Sequence, residues 1–173
     1  MNSPYLSNDS MPSLDTNVRH LNRYQANTLI AHLTYKKYHY NVKGILFKPM
    51  HDLFEMLAEE AYDKIDEIAE RALIIGGQAI NEPEDYIRLA TLEPRRGPMS
   101  LIEMLEQSYQ ISQHLIKELL EFEQISSELG DVGTSDLFIR HVQTWEKQAW
   151  FLRETLSSIN SPENANPLSG RSD

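Results

Sequence analysis

Five side chains between positions 39 and 70 combine the residue types of a transition-metal site: His39, His51, Glu55, Asp66 and Glu70. Neutral imidazole with carboxylate suits Fe, Zn or Mn better than Ca or Mg. The chain has no cysteine, so thiolate zinc sites, disulfide scaffolds and cysteine nucleophiles are excluded. A site with several carboxylates and open positions stabilises Fe(III) and leaves room for an oxidant. A His–Glu pair spaced i,i+4 is also the ordinary pattern of a solvent-facing helix surface. Spacing alone leaves both readings open, as it leaves open zinc or manganese binding without turnover.

The spacing also carries a geometric condition. His51 and Glu55 are one helical turn apart, as are Asp66 and Glu70, and all four fall within a narrow sector of one helix. From Glu55 to Asp66 the helix nevertheless rises about 16 Å, whereas metal–ligand bonds are about 2 Å. One chain cannot bring both pairs to one ion. An antiparallel second copy, related by a two-fold axis near Glu60 and Ala61, sets His51 and Glu55 of one chain against Glu70 and Asp66 of the other. His39, near the end of the preceding helix, adds the second imidazole on the His51 side.

The elements that position these residues are four periodic segments. Leu21, Tyr24, Thr28, Ala31, Tyr35, Tyr38 and Val42 mark one face of a first long helix that Gly44 ends. Pro49 suits the first turn of a second helix, with the stripe Leu53, Leu57, Ala61, Ile65, Ile68, Ala72 and Ile75, stopped at Gly76-Gly77. A connection of about twenty residues follows, too long for a simple turn, in which Glu84–Ala90 can form a short helix. A third helix from about Met99 to Ser127 carries Ile102, Leu105, Tyr109, Ile116, Leu119 and Ile125. Gly130 and Gly133 break the chain, and Thr134 or Ser135 caps a fourth helix with Val142, Trp145, Ala149, Leu152 and Leu156. The expected fold is all-α, a ferritin-like four-helix bundle whose long connection crosses the bundle between helices two and three. Residues 18–157 form this bundle, between flexible tails at 1–17 and 158–173.

At 173 residues the chain fits one domain with a substantial core, and its formal charge of −10 argues against a constitutive nucleic-acid surface. Neither tail is basic. No apolar run approaches the roughly 18 residues of a membrane span, and no basic-then-apolar leader is visible, so a cytoplasmic location is expected.

The runs HYNVKG, HDLFE and DEIAERALIIGG strongly resemble Dps proteins, the dodecameric mini-ferritins, and DLFIRHVQTWEKQAWFLRETL is similar to that family's last helix. The resemblance implies a dodecameric homo-oligomer with metal sites at its two-fold interfaces. There Fe(II) is oxidised, preferentially by hydrogen peroxide and otherwise by oxygen, and ferric mineral collects in a hollow shell. His39, His51 and Glu55 would come from one subunit and Asp66 and Glu70 from its mate, the arrangement that the helix geometry requires. Tyr40 stands where many relatives have Trp, and Glu55 where a shorter Asp is also common. Asp131 and Asp136 flank the fourth helix's start, where related shells line a three-fold inlet pore; ordinary helix capping is the competing reading. Some relatives condense DNA through Lys-rich tails, which this chain lacks, so no DNA binding is expected. The alternatives are a DNA-compacting protein with little ferroxidase activity and a shell that binds zinc or manganese, with zinc also a competing ion in the first reading. A site of the ferritin kind inside one bundle is disfavoured, because none of the six histidines has Glu three residues before it.

Overall fold

The computed structural model describes residues 11–160. Five helices follow in order, α1 (Met11–Asn41), α2 (Phe47–Ile74), α3 (Pro83–Leu89), α4 (Leu101–Glu128) and α5 (Val132–Asn160). Hairpin α1–α2 packs on hairpin α4–α5, with the short α3 inside the crossover. Among the described residues no helix is long and apolar enough to cross a membrane.

The bundle closes on side chains that reach zero exposure from all four long helices: Tyr24, Tyr35 and Tyr38 of α1, Phe54, Leu57 and Ile68 of α2, Leu105, Leu115 and Leu119 of α4, and Phe138, Trp145 and Leu152 of α5. Each such aliphatic or phenyl side chain contributes about 1.5–3 kcal/mol by leaving water. Two stripes differ in phase from the sequence expectation. On α2 the core takes Met50, Phe54 and Lys64 while Leu53 and Ile65 stay half-buried. On α4 it takes Ser108 and Ser112 rather than Ile102, Tyr109 and Ile116. Those serines are tolerated because each hydroxyl donates to its own helix, Ser108 to the Met104 carbonyl at 2.7 Å and Ser112 to that of Ser108 at 3.3 Å.

The crossover is pinned along α1. Asn22 Nδ2 donates to the Gln78 carbonyl, Gln25 Nε2 to the Tyr86 hydroxyl, and Lys37 Nζ to the Arg95 carbonyl, at 2.9, 2.9 and 2.8 Å. Asn27 Oδ1 accepts from the backbone N–H groups of Thr91 and Leu92 at 2.7 and 3.1 Å. From Asn22 to Lys37 is about 22 Å of helix, so the connection does traverse the bundle.

Three expected boundaries move, one of them at the C-terminal tail, where α5 runs to Asn160 rather than ending at 157. Helix α1 begins at Met11, inside the span assigned to the N-terminal tail. Asn17 is buried there, its amide donating to Asp131 Oδ2 while its oxygen accepts from Ser126 Oγ, both at 2.9 Å. The remaining tail positions, 1–10 and 161–173, lie outside the described residues. At the start of α5 the cap is Asp131, not Thr134 or Ser135: Asp131 Oδ1 accepts from the Thr134 backbone N–H at 3.1 Å and Oδ2 from the Thr134 hydroxyl at 2.6 Å. Gly133 falls inside the first turn rather than breaking the chain. A Cβ there would lie 2.7 Å from the Arg71 guanidinium, so a side chain would have to push Arg71 aside from Asp131.

Candidate metal centre

The loop between α1 and α2 turns on Gly44, whose φ of +101° suits glycine. It sets the last turn of α1 against the first turns of α2. His39 Nδ1 then meets the His51 carbonyl and His51 Nδ1 meets the His39 carbonyl, both at 2.9 Å. The rings stack with centroids 3.6 Å apart and 25° between planes. A carbonyl only accepts, so Nδ1 of each ring carries the hydrogen, and Nε2 of the neutral ring keeps the lone pair a metal needs. Such a second hydrogen bond fixes ring orientation and raises ligand basicity.

Glu55 lies one turn beyond His51, its Oε2 3.2 Å from His39 Nδ1 and 2.5 Å from Lys36 Nζ. The Lys36 ammonium holds the Glu55 carboxyl below the usual carboxylate range, and Glu55 in turn raises Lys36. Lys36 also lies 5.3 Å from the centre of the Tyr40 ring, which is 70% exposed. Spacing alone did not mark Lys36, because its relation to Glu55 spans two helices.

His39, His51 and Glu55 are therefore brought together. Asp66 and Glu70 are not: they lie about 16 Å or more farther along α2, are exposed, and no hydrogen bond or ion pair engages them among the described residues. Asp66 lines a surface groove of about 510 Å³ with Gln25, Tyr62, Asp63, Ile65 and Ala69. Among the described residues of one chain, no three His, Asp or Glu side chains are placed to hold a metal ion. His32 repeats the local device one step back, its Nδ1 2.9 Å from the Ala58 carbonyl and its ring 5.3 Å from that of Tyr62.

Asp131 is engaged as a cap and by Arg71 Nη2 at 2.5 Å, and its carboxyl lies below the usual range, the hydrogen bonds from Thr134 and the Arg71 charge outweighing burial. Asp136, more exposed, pairs with Arg140 at 3.0 Å. Trp145 is fully buried, as its place in the apolar stripe predicts, whereas Trp150 is half exposed. Glu67, 12 residues beyond Glu55 on α2, joins the buried His141 at 2.9 Å and Arg140 at 2.5 Å.

The fold is that of the ferritin-like proteins, and a ferritin-like domain model matches residues 18–161. The chain is 31% identical over 137 residues to DNA protection during starvation protein 2 of Bacillus anthracis, covering 79% of this chain and 94% of that protein. It is 32% identical over 136 residues to the DNA protection during starvation protein of Brevibacillus brevis, covering 79% and 91%. The solved structure of Dps from Thermosynechococcus elongatus superposes with a TM-score of 0.84 at 37% identity, over 88% of this chain and 99% of that one. DpsC from Streptomyces coelicolor gives 0.85 at 30% identity, over 94% and 92%. The chain belongs to the Dps family of ferritin-like proteins.

Proposed function

We propose that this protein is an iron-storing ferroxidase whose sites are completed between subunits. His39, His51 and Glu55 of one copy and Asp66 and Glu70 of its mate bind Fe(II) as substrate, and hydrogen peroxide, or oxygen more slowly, oxidises it. Ferric product collects inside a shell of twelve copies in the cytoplasm, which removes ferrous iron and peroxide together and so limits oxidative damage. Zinc competes for the same nitrogen and oxygen donors. Asp136, with Asp131 behind it, would draw cations to a three-fold inlet.

One observation carries the reading. Each imidazole donates from Nδ1 to the other's carbonyl, which leaves both Nε2 atoms for a metal, and Glu55 Oε2 lies 3.2 Å from His39 Nδ1, while the matching carboxylates stand too far along the same helix to join them. Iron binding would exchange the Lys36 ammonium for a dication at Glu55, so the site keeps a cation partner in either state.

The decisive experiment is anaerobic Fe²⁺ loading of the full-length protein, followed by peroxide or oxygen with Fe³⁺ read optically. His51→Ala and Asp66→Ala should each abolish fast oxidation. Mixed assemblies of the two variants should regain part of it, since one interface site then holds all five ligands. No recovery in verified mixed dimers would sink the shared site.

A further inference from the structure

The bundle interior between α1, α2 and α5 holds a hydrogen-bonded chain that the iron reading leaves unused. Trp145 Nε1–H donates to the Tyr24 hydroxyl oxygen at 2.9 Å, and that hydroxyl lies 3.1 Å from His141 Nδ1. His141 Nε2 lies 2.9 Å from Glu67 Oε2. A carboxylate only accepts, so Nε2 carries the hydrogen, Nδ1 is the acceptor, and Tyr24 donates to it. Tyr24 and Trp145 have zero exposure and His141 has 3%. The arrangement has a direction. The Lys64 ammonium lies 5.4 Å from the Trp145 ring centre and disfavours positive charge on the indole, whereas Tyr24 can shed its proton to a neutral imidazole as an electron leaves. Burial keeps His141 in that neutral form, its pKa lowered to about 4. The chain ends on Glu67, next in sequence to Asp66, and Gln25, next to Tyr24, lines the groove that Asp66 borders. Tyr24 thus lies one helix position from a residue of the groove that Asp66 borders, and its hydrogen-bonded chain ends one helix position from Asp66 itself.

We propose that Tyr24 is a proton-coupled one-electron donor to the inter-subunit site, its phenolic proton moving to His141 Nδ1 as its electron leaves. The inference rests on the iron reading. When a single Fe²⁺ meets hydrogen peroxide, one electron breaks the O–O bond and yields Fe³⁺, hydroxide and a hydroxyl radical. Tyr24 supplies the second electron: the radical becomes hydroxide, the phenol becomes a neutral tyrosyl radical, and the proton sits on His141. A second Fe²⁺ then reduces the tyrosyl radical, and His141 returns the proton to the phenolate oxygen. Two solvent protons neutralise the two hydroxides, so peroxide, two Fe²⁺ and two H⁺ give two Fe³⁺ and two waters. A site holding one iron at a time could thereby complete a two-electron reduction without releasing hydroxyl radical.

The test uses the assembled full-length protein, loaded anaerobically with one Fe²⁺ per site, mixed with peroxide and freeze-quenched for electron paramagnetic resonance. A tyrosyl radical should form, and ¹⁵N-labelled histidine should show nitrogen coupling to it, as a phenoxyl oxygen bonded to an imidazole requires. Tyr24→Phe should lower the signal at least ten-fold and raise spin-trapped hydroxyl radical, while Tyr40→Phe should retain the signal. A radical lacking histidine coupling, or one that survives in Tyr24→Phe, overturns the inference. Rapid Fe³⁺ formation without any tyrosyl radical overturns it while leaving the ferroxidase intact; no Fe³⁺ formation at all removes both. If Tyr24→Phe fails to assemble, the nitrogen coupling in the unaltered protein decides alone.

Discussion

At His39 and His51, the proposed ligands, the backbone would do the work of a second coordination shell. Each imidazole is oriented by the other's carbonyl, so their geometry is set before any metal arrives. Lys36 is the residue that opposes a cation, because its ammonium already occupies Glu55 Oε2 at 2.5 Å. Lys36→Met removes that competing charge and frees the carboxylate. Anaerobic calorimetry with Zn²⁺ or Co²⁺ should then show binding tightened on the order of ten-fold, the scale expected when a neighbouring like charge is removed near a protein surface. Unchanged affinity would mean that the ammonium swings clear without opposing the ion. Tyr40 lies beside Lys36 and the His39 ring but largely in solvent, so Tyr40→Phe should leave this affinity unaltered.

Helix α5 is held at its start by Asp131, which satisfies the first turn and also binds Asn17 of α1 and Arg71 of α2. Asp131→Ala removes a cap and strands a half-buried guanidinium, and should cost about 2–3 kcal/mol in chemical denaturation. Asp131→Asn, which keeps an acceptor for the cap, should recover about half of that loss; equal losses would show that the Arg71 pair dominates. Farther along α5, burial pushes the His141 pKa down to about 4 from an ordinary value of 6.5. Between those values the folded chain binds fewer protons than the unfolded chain. The stability supplied by neutral His141 is therefore complete above about pH 6.5 and is lost as pH falls toward about 4, by roughly 3 kcal/mol in all. His141→Gln should flatten that part of the stability–pH curve relative to the unaltered protein, and parallel curves would refute the assignment. The Glu67 carboxyl, lowered chiefly by the Arg140 hydrogen bond, adds a further loss at the acidic end.

As a whole, the molecule carries a formal charge of −10. Phosphate-backbone binding depends on clustered Lys and Arg that release counterions. Plasmid DNA should therefore migrate unretarded beside the assembled protein at about 150 mM salt; strong retardation would show an electrostatic source that net charge conceals. The same acidity favours the approach of Fe²⁺. If the proposed site is shared, assembly and chemistry should fail together: Tyr62, 61% exposed on α2, borders the Asp66 groove, and Leu33, 54% exposed, is a large apolar side chain on α1. Leu33→Glu with Tyr62→Glu should shift the particle mass toward single chains in light scattering and abolish fast Fe²⁺ oxidation. Oxidation persisting in verified monomers would refute the shared site.

The sequence alone determined what depends on a single helix. Periodicity placed four long helices and the crossover, and rise per residue showed that His51 and Glu55 cannot share one ion with Asp66 and Glu70 in the same chain. Those inferences needed only 3.6 residues per turn and 1.5 Å per residue. The tertiary structure decided what depends on pairs far apart in sequence: that His39 and His51 exchange carbonyl hydrogen bonds, that Lys36 guards Glu55, and that Asp131 caps α5 while holding Arg71. Glu67 and His141, 74 residues apart, each look like ordinary surface candidates until α2 packs against α5. Serines entered the core of α4 for a related reason, since back-bonding within the helix satisfies hydroxyls that a hydropathy pattern would send to water. Periodicity is a property of one element. Partner choice, tautomer and proton affinity belong to the space between elements, which exists only once the bundle has closed.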